Sequence, residues 1–203
     1  MRKLMMLLTI VCVLFVGCDD VIITLDPPGL PVPEQPACPP NTPCPYEFLP
    51  PVDLPPEMRE PNWGGGSCVH ASMVSILRWQ QLPELAAWWR KTYIGGETLS
   101  GLVSKSDKAG LNFAYTGDGD VNVLEWASRT RRGAVIFYKP SHSISFFGFV
   151  TKEDGQRYAC VMDNNRTQTY EWIPYDRFIQ AWKGYGGVAL TPVYSPTPPL
   201  PWL

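Results

Sequence analysis

The sequence predicts an α+β domain in which N-terminal helices pack on an antiparallel sheet. Apolar residues recur at helical spacing over much of residues 67–130, whereas after residue 133 they alternate with a period of two. Helices grouped before an antiparallel sheet are typical of α+β proteins. With 203 residues, 45% of them hydrophobic, the chain can form one sizeable core.

The first half of the domain contains the predicted helices. They are expected over residues 68–80, 83–93, 99–109 and 121–130, with a short strand over 111–115. Ser67 is placed to cap the first helix, Pro83 lies near the start of the second, and Asp120 is placed to cap the fourth. Gly117–Asp120 is interpreted as an ordinary turn and helix cap, because the ligand spacing of a calcium-binding EF-hand is absent.

The second half of the domain contains the predicted sheet. Strands are expected over residues 134–138, 143–151, 157–162, 169–173 and 187–190, with a short helix over 174–182. Lys152–Gln156 has the composition of a hairpin turn, so the strands before and after it are expected to pair in antiparallel fashion.

The N-terminus has the pattern of an export signal. Arg2 and Lys3 precede an apolar run from Leu4 to Val16, which is too short for a comfortable membrane span. The run ends in Phe-Val-Gly-Cys18, which resembles a bacterial lipobox. The resemblance implies a signal peptide over 1–18, lipidation of Cys18, and a membrane-anchored lipoprotein of the cell envelope that faces the periplasm or the exterior. An ordinary secretory signal or a membrane anchor is the alternative.

Proline marks the other boundaries of the chain. The 22 prolines are concentrated in two regions, which predicts a proline-rich tether over 19–60, a domain over 61–192 and a proline-rich tail over 193–203. Export would place Cys38 and Cys44 in an oxidising compartment, where they either form a disulfide or remain free thiols. A net charge of −2 without basic runs argues against nucleic acid as a partner. The domain is expected to be a monomer.

The segment Asn62–His70 has the most informative local sequence. Three glycines, Gly64 to Gly66, lead into Cys68 at the first turn of an apolar helix. The unpaired N–H groups and the partial positive charge of a helix N-terminus stabilise an anion there. A thiol in this environment can have a pKa below the usual value of about 8.5, so Cys68 is a candidate nucleophile.

A partner for the thiol must come from the two histidines, His70 and His142. His70 lies two residues after Cys68 on the same helix, where side chains point to different sides. His142 precedes a predicted strand, and Asp163 ends the strand that returns antiparallel to it. Pairing of these strands would bring His142 and Asp163 to the same end of the hairpin, where the carboxylate could orient the imidazole.

These residues resemble the papain-like cysteine peptidases over roughly residues 60–190. Gly66-Ser67-Cys68 matches the nucleophile motif of that superfamily, and His142 is followed by glycine six residues later. Asp163 lies five residues after a tyrosine, and an aspartate here is similar to the bacteriocin-processing, double-glycine branch, although the proline that follows it there is replaced by Asn164. The resemblance implies a papain-like fold and a Cys68–His142–Asp163 triad.

The resemblance also implies an oxyanion hole and a reaction. The backbone N–H of Cys68 and the side-chain amide of Asn62, which stands where the superfamily has glutamine, would hold the oxyanion. The expected activity is hydrolysis of peptide or amide bonds in a peptide or protein substrate through a thioester, with no cofactor or metal. The alternatives are a cell-wall peptide hydrolase or transglutaminase-like acyl transferase on the same scaffold, and a non-catalytic surface binding module.

Five further side chains are expected to be structural. Cys160 and the tryptophans Trp79, Trp88 and Trp89 are assigned to the core and to packing between helices. His70 is expected to be a polar group near the helix surface.

Overall fold

The computed structural model describes residues 54–153 and 155–193. In chain order these residues form a 3-10 turn (Pro56–Met58), α1 (Cys68–Trp79), α2 (Pro83–Thr92), α3 (Leu99–Lys108), β1 (Asn112–Thr116), α4 (Val121–Arg129), β2 (Ala134–Phe137), β3 (Ser143–Thr151), β4 (Arg157–Met162), β5 (Glu171–Pro174), α5 (Tyr175–Gly184) and β6 (Ala189–Val193). Every predicted helix and strand is present, with ends that differ by at most three residues. The predicted signal peptide, the lipidation of Cys18 and the Cys38–Cys44 disulfide lie outside the described residues.

The six strands form one antiparallel sheet in the order β1-β6-β2-β3-β4-β5. The helices α1 to α3 cover one face, and α4 and α5 cover the other. The predicted α+β class, with N-terminal helices on an antiparallel sheet, is therefore confirmed, and α4 and α5 add a third layer. None of the helices within the described ranges has the length and apolarity needed to span a membrane.

Alternation along β4 separates the two cores. Cys160 and Met162 face α1, whereas Ala159 and Val161 face α4 and α5, because successive side chains of a strand point to opposite faces. Cys160 is fully buried, as predicted. Trp79 and Trp89 are also buried, but Trp88 is 43% exposed, because it lies on the outer side of α2.

A bulge in β3 adjusts the strand to both cores. The pairing of β3 with β4 shifts register between Phe146 and Gly148. The extra residue lets Phe146 and Phe149 share one core while Phe147 packs in the other. Gly148 has a φ of +152°, and a side chain there would approach the Ser128 hydroxyl, which accepts a hydrogen bond from the Phe149 N–H at 2.8 Å.

Residues 54–62 form a strap along α1. The Met58 carbonyl accepts from Arg78 Nη1 at 2.9 Å, and the Glu60 N–H donates to Ser75 Oγ at 3.0 Å. Leu54 is only 4% exposed and belongs to the core on the α1 side. Residues 54–60, which proline content assigned to the tether, therefore belong to the packed domain.

A buried carboxylate holds this strap in place. The Glu60 carboxylate lies 2.8 Å from Arg90 Nε and 3.0 Å from Arg78 Nη1. The side chains of Glu60 and Arg90 are each 6% exposed, so solvent screens their charges little. The guanidinium of Arg90 also lies 3.8 Å from the ring centre of Trp63, which adjoins the glycine turn.

Breaking this ion pair is expected to destabilise the domain strongly. Glu60→Gln should lower the free energy of unfolding by about 3–5 kcal/mol, because it leaves the buried Arg90 charge uncompensated. The control is Glu125→Gln, which breaks the more exposed Arg157–Glu125 pair and should cost about 1 kcal/mol or less. Urea denaturation measures both, and equal costs would show that the buried ion pair contributes no more to stability than the exposed one.

Candidate active site

The glycine turn before α1 uses backbone conformations that favour glycine. Gly64, Gly65 and Gly66 have φ values of +86°, +60° and +81°, a region that other residues adopt only with strain. A Cβ on Gly66 would also lie 3.1 Å from the backbone nitrogen of Gly96. The turn therefore brings the chain directly into the first residue of α1, Cys68.

The Cys68 side chain lies at the N-terminus of α1 and is nearly buried. The residue is 5% exposed, and its thiol donates to the Gly66 carbonyl at 3.6 Å. The first turn of a helix leaves N–H groups without intrahelical acceptors, so anionic charge is favoured here.

A strained loop presents His142 at the start of β3. Lys139 and Ser141, on either side of Pro140, have positive φ values of +77° and +53°. The His142 N–H donates to the Lys139 carbonyl at 3.3 Å, and the His142 carbonyl accepts from the Tyr138 N–H at 2.9 Å. These bonds close the loop and fix the direction in which the imidazole projects. Backbone strain of this kind is concentrated at functional sites.

Asp163 follows the last residue of β4, beside the start of β3. The pairing of Ser145 with Met162 sets this register. Asp163 Oδ1 lies 2.8 Å from His142 Nε2 and accepts from the Asn165 N–H at 3.0 Å. The carboxylate can therefore orient the ring through Nε2.

The Cys68 thiol and the His142 ring lie close enough for each to shift the pKa of the other. Because Nε2 is bonded to Asp163, Nδ1 is the ring nitrogen left for the thiol. The structure thus brings Cys68, His142 and Asp163 together in one site. Their catalytic roles remain predictions.

The electrostatics of the three groups stabilise the charged form of each one. Burial opposes ionisation of Cys68, but hydrogen bonds from His142 and the Ser143 N–H, with the His142 charge, lower the pKa of the thiol. The hydrogen bond with Cys68 raises the pKa of His142. Burial lowers this pKa, and Asp163 raises it. Burial also opposes the ionisation of Asp163, yet hydrogen bonds from Asn165, His142 and Lys139 lower the pKa of its carboxyl.

Lys139 is a member of the site that sequence reasoning missed. Its ammonium lies 3.0 Å from Asp163 Oδ2, and its side chain is 47% exposed. The two oxygens of the carboxylate thus have different partners, His142 and Lys139. No sequence pattern singled out this lysine, because its contact depends on a residue 24 positions away.

Asn62, the predicted oxyanion donor, lies at the start of the glycine turn. Its Oδ1 accepts from the Gly64 N–H at 3.2 Å and from the Ser67 hydroxyl at 2.8 Å, and its Nδ2 donates to Asn165 Oδ1 at 3.1 Å. The bond to Asn165 uses one of the two amide hydrogens. The Ser67 side chain does not cap α1 as predicted, because its hydroxyl is bonded to Asn62 instead.

His70 does not lie near the helix surface, where the sequence predicted it. It is fully buried, and its Nδ1 accepts from Trp89 Nε1 at 3.2 Å. Burial, with smaller contributions from Lys105 and Arg90, lowers the pKa of His70 to about 4. The difference arises because α2 covers the side of α1 that carries this ring.

The turn before α4 has the predicted structure. Asp120 caps α4 by accepting from the Asn122 N–H at 2.9 Å, and Asp118 Oδ1 accepts from the Thr116 hydroxyl at 2.7 Å. Within the residues that the structure describes, no three His, Cys, Asp or Glu side chains are grouped as metal ligands would be.

No protein-family model matches the sequence, and no curated protein matches it. Among solved structures, the chain is similar to a double-glycine-motif protease from an AMS/PCAT transporter in complex with the leader peptide. The sequence identity is 15% and the TM-score is 0.42, and the match covers 66% of this chain and 89% of that one. It is also similar to the peptidase domain of Streptococcus mutans ComA, with 17% identity and a TM-score of 0.44, over 68% of this chain and 99% of that one.

The pKa shifts predict how thiol reactivity depends on pH. The lowered pKa of Cys68 means that alkylation by iodoacetamide should reach half its maximal rate at a lower pH than alkylation of a free cysteine. The raised pKa of His142 keeps the imidazolium present to higher pH. Activity that needs the thiolate and the imidazolium together should therefore rise and then fall as pH increases.

The variant His142→Asn tests this coupling. Burial raises the pKa of the Cys68 thiol, and the imidazole lowers it. Without the imidazole the thiol pKa should therefore rise, and the alkylation profile should move to higher pH. His70→Gln, which removes the other imidazole of the chain, should leave the profile in place. An unchanged profile in His142→Asn would contradict the thiol–imidazole pair.

Proposed function

We propose that this chain is a cysteine peptidase that hydrolyses peptide or amide bonds through a Cys68–His142–Asp163 triad. One observation carries the proposal. A thiol at a helix N-terminus lies beside an imidazole that lowers the pKa of the thiol, and Nε2 of that imidazole lies 2.8 Å from a carboxylate. Nucleophile, base and orienting group in this order are the components of covalent acyl transfer.

The first half of the proposed reaction forms a thioester. The Cys68 thiolate attacks the carbonyl carbon of the scissile bond, and the carbonyl oxygen becomes an oxyanion. When the tetrahedral intermediate collapses, the C–N bond breaks and the His142 imidazolium gives its proton to the departing amine. The acyl group is left on the Cys68 sulfur. The Asp163 carboxylate holds the ring in place and stabilises its charged form until the proton leaves.

The second half regenerates the enzyme. Neutral His142 takes a proton from water, and the resulting hydroxide attacks the thioester carbon. Collapse of this second intermediate breaks the C–S bond, releases a carboxylic acid and restores the Cys68 thiolate beside the His142 imidazolium. The water supplies the oxygen and hydrogens that the products gain, so the balance needs no further reactant.

The oxyanion would lie at the start of α1. The backbone N–H of Cys68 belongs to the first turn of the helix, and the Asn62 amide lies at the beginning of the same turn segment. A preorganised donor of this kind can lower the barrier by about 3 kcal/mol. The glycine turn between the two donors carries no side chains, which leaves room for a substrate backbone.

The setting of the proposed activity comes from the sequence. An exported lipoprotein anchored through Cys18 would hold the domain outside the cytoplasm on its proline-rich tether. The substrate would then be a peptide or protein of the cell envelope or its surroundings.

The test of this proposal replaces the nucleophile in the full chain. Cys68→Ala should abolish covalent labelling by a thiol-directed peptidase probe and any hydrolysis of a mixed peptide library. The matched control is Cys160→Ala, because Cys160 is also a buried cysteine but lies on β4 in the core. It should keep both signals. Labelling and hydrolysis that survive in Cys68→Ala would show that the mechanism is wrong.

A further inference from the structure

We propose that Asn164 is a positioning residue that sets the geometry between the Cys68 thiol and His142. This inference rests on the proposed function, because it concerns the same site. Asn164 makes no contact that would place it among the reacting atoms. It acts by holding together the backbone segments that carry them.

The side chain of Asn164 is a buried donor to both of these segments. The residue is 1% exposed, and its Nδ2 lies 2.9 Å from the Cys68 carbonyl and 2.8 Å from the Ser143 carbonyl. A third contact, at 2.9 Å, reaches Ser72 Oγ one turn further along α1. One amide group therefore joins the nucleophile helix to the first residue of β3, next to His142.

The backbone of Asn164 completes the arrangement. Its carbonyl accepts from the Asn62 N–H at 2.8 Å, and the residue directly follows Asp163. The segments that carry the nucleophile, the base, the orienting carboxylate and the predicted oxyanion donor thus all meet at this asparagine.

The side-chain amide of Asn164 has the donors that this position requires. Two hydrogens on one planar nitrogen can reach two carbonyl oxygens at a fixed angle. The partners also decide the orientation of the amide, because a flipped Oδ1 would face the Cys68 and Ser143 carbonyl oxygens. Oδ1 has no hydrogen-bond partner within the described parts of the chain, so the network depends on donation by Nδ2.

The bond to Ser143 holds a residue that itself acts on the thiol. The N–H of Ser143 is one of the groups that lower the pKa of Cys68. Asn164 holds the same residue by its carbonyl, which is 2.8 Å away. If this link is lost, β3 and α1 can move apart. The Ser143 N–H and the His142 ring would then lie farther from the Cys68 sulfur. A displacement of about 1 Å can cost roughly 100-fold in rate.

The chain contains a closely matched control at the other end of α1. Gln80 is 3% exposed, and its Nε2 donates to the carbonyls of Arg132 and Pro192, each at 2.9 Å. Its Oε1, like Oδ1 of Asn164, has no partner among the residues described. The two amides thus play the same structural part, but only Asn164 touches the segments of the site.

The experiment compares Asn164→Leu with Gln80→Met in the full chain, because each variant replaces a buried amide with an apolar group of similar size. Both should lower the melting temperature. Only Asn164→Leu should shift the pH profile of iodoacetamide alkylation at Cys68 to higher pH, and lower kcat/KM by about 10- to 100-fold. Asn164→Ser, whose hydroxyl can still donate one bond, should lie between wild type and Asn164→Leu, and it replaces that variant if leucine prevents folding.

Two results would overturn the proposal in distinguishable ways. In the first, the wild-type thiol has a low pKa, Asn164→Leu and Asn164→Ser leave that pKa unchanged, and the loss of stability resembles that of Gln80→Met. Asn164 would then be a structural residue only, and the proposed function would stand. A wild-type thiol with the pH profile of free cysteine would contradict the proposed function, and the positioning role with it.

Discussion

The antiparallel pairing of β3 with β4 is the interaction on which the candidate site depends. Its register places His142 before one strand and Asp163 after the other, at the same end of the sheet. The bulge before Gly148 shifts the register by one residue, so the pairs from Phe146 toward the site differ from those near the hairpin turn. The α1 helix lies across the same strands, so the nucleophile at its N-terminus meets the hairpin where the base and the carboxylate are presented. Cys68, His142 and Asp163 span 95 positions of the sequence and thereby meet in one site.

The site combines burial with a dense set of polar partners. Burial alone would neutralise Cys68 and Asp163, yet hydrogen bonds to the charged forms outweigh it and lower both pKa values. Behind them, Asn164 supplies the hydrogen bonds that hold the surrounding backbone. The Glu60–Arg90 ion pair plays a comparable role for the strap that leads into the glycine turn. Buried polar groups of this kind specify one arrangement, because any other leaves them without partners.

Much of this arrangement was predictable from local sequence. The period of the apolar residues identified every helix and strand, because burial of one face imposes that period on the chain. The three glycines before Cys68 predicted a turn and a thiol at a helix start, and the structure shows that all three have positive φ values. Helix geometry set His70 aside, and in the structure its ring is bonded to Trp89 instead. The hairpin turn predicted that Asp163 lies beside His142.

The sequence by itself thus determined the elements, their order and the three residues of the candidate triad, since each of these follows from spacing along the chain. Only the tertiary structure decided which partners the polar side chains have. The Lys139–Asp163 pair, the bond from Ser67 to Asn62, the burial of His70 and the packing of residues 54–60 all follow from it. The contacts of Asn164 with Cys68 span 96 positions. Periodicity reports which face of an element is buried, but a hydrogen bond between distant segments depends on how those faces meet in space.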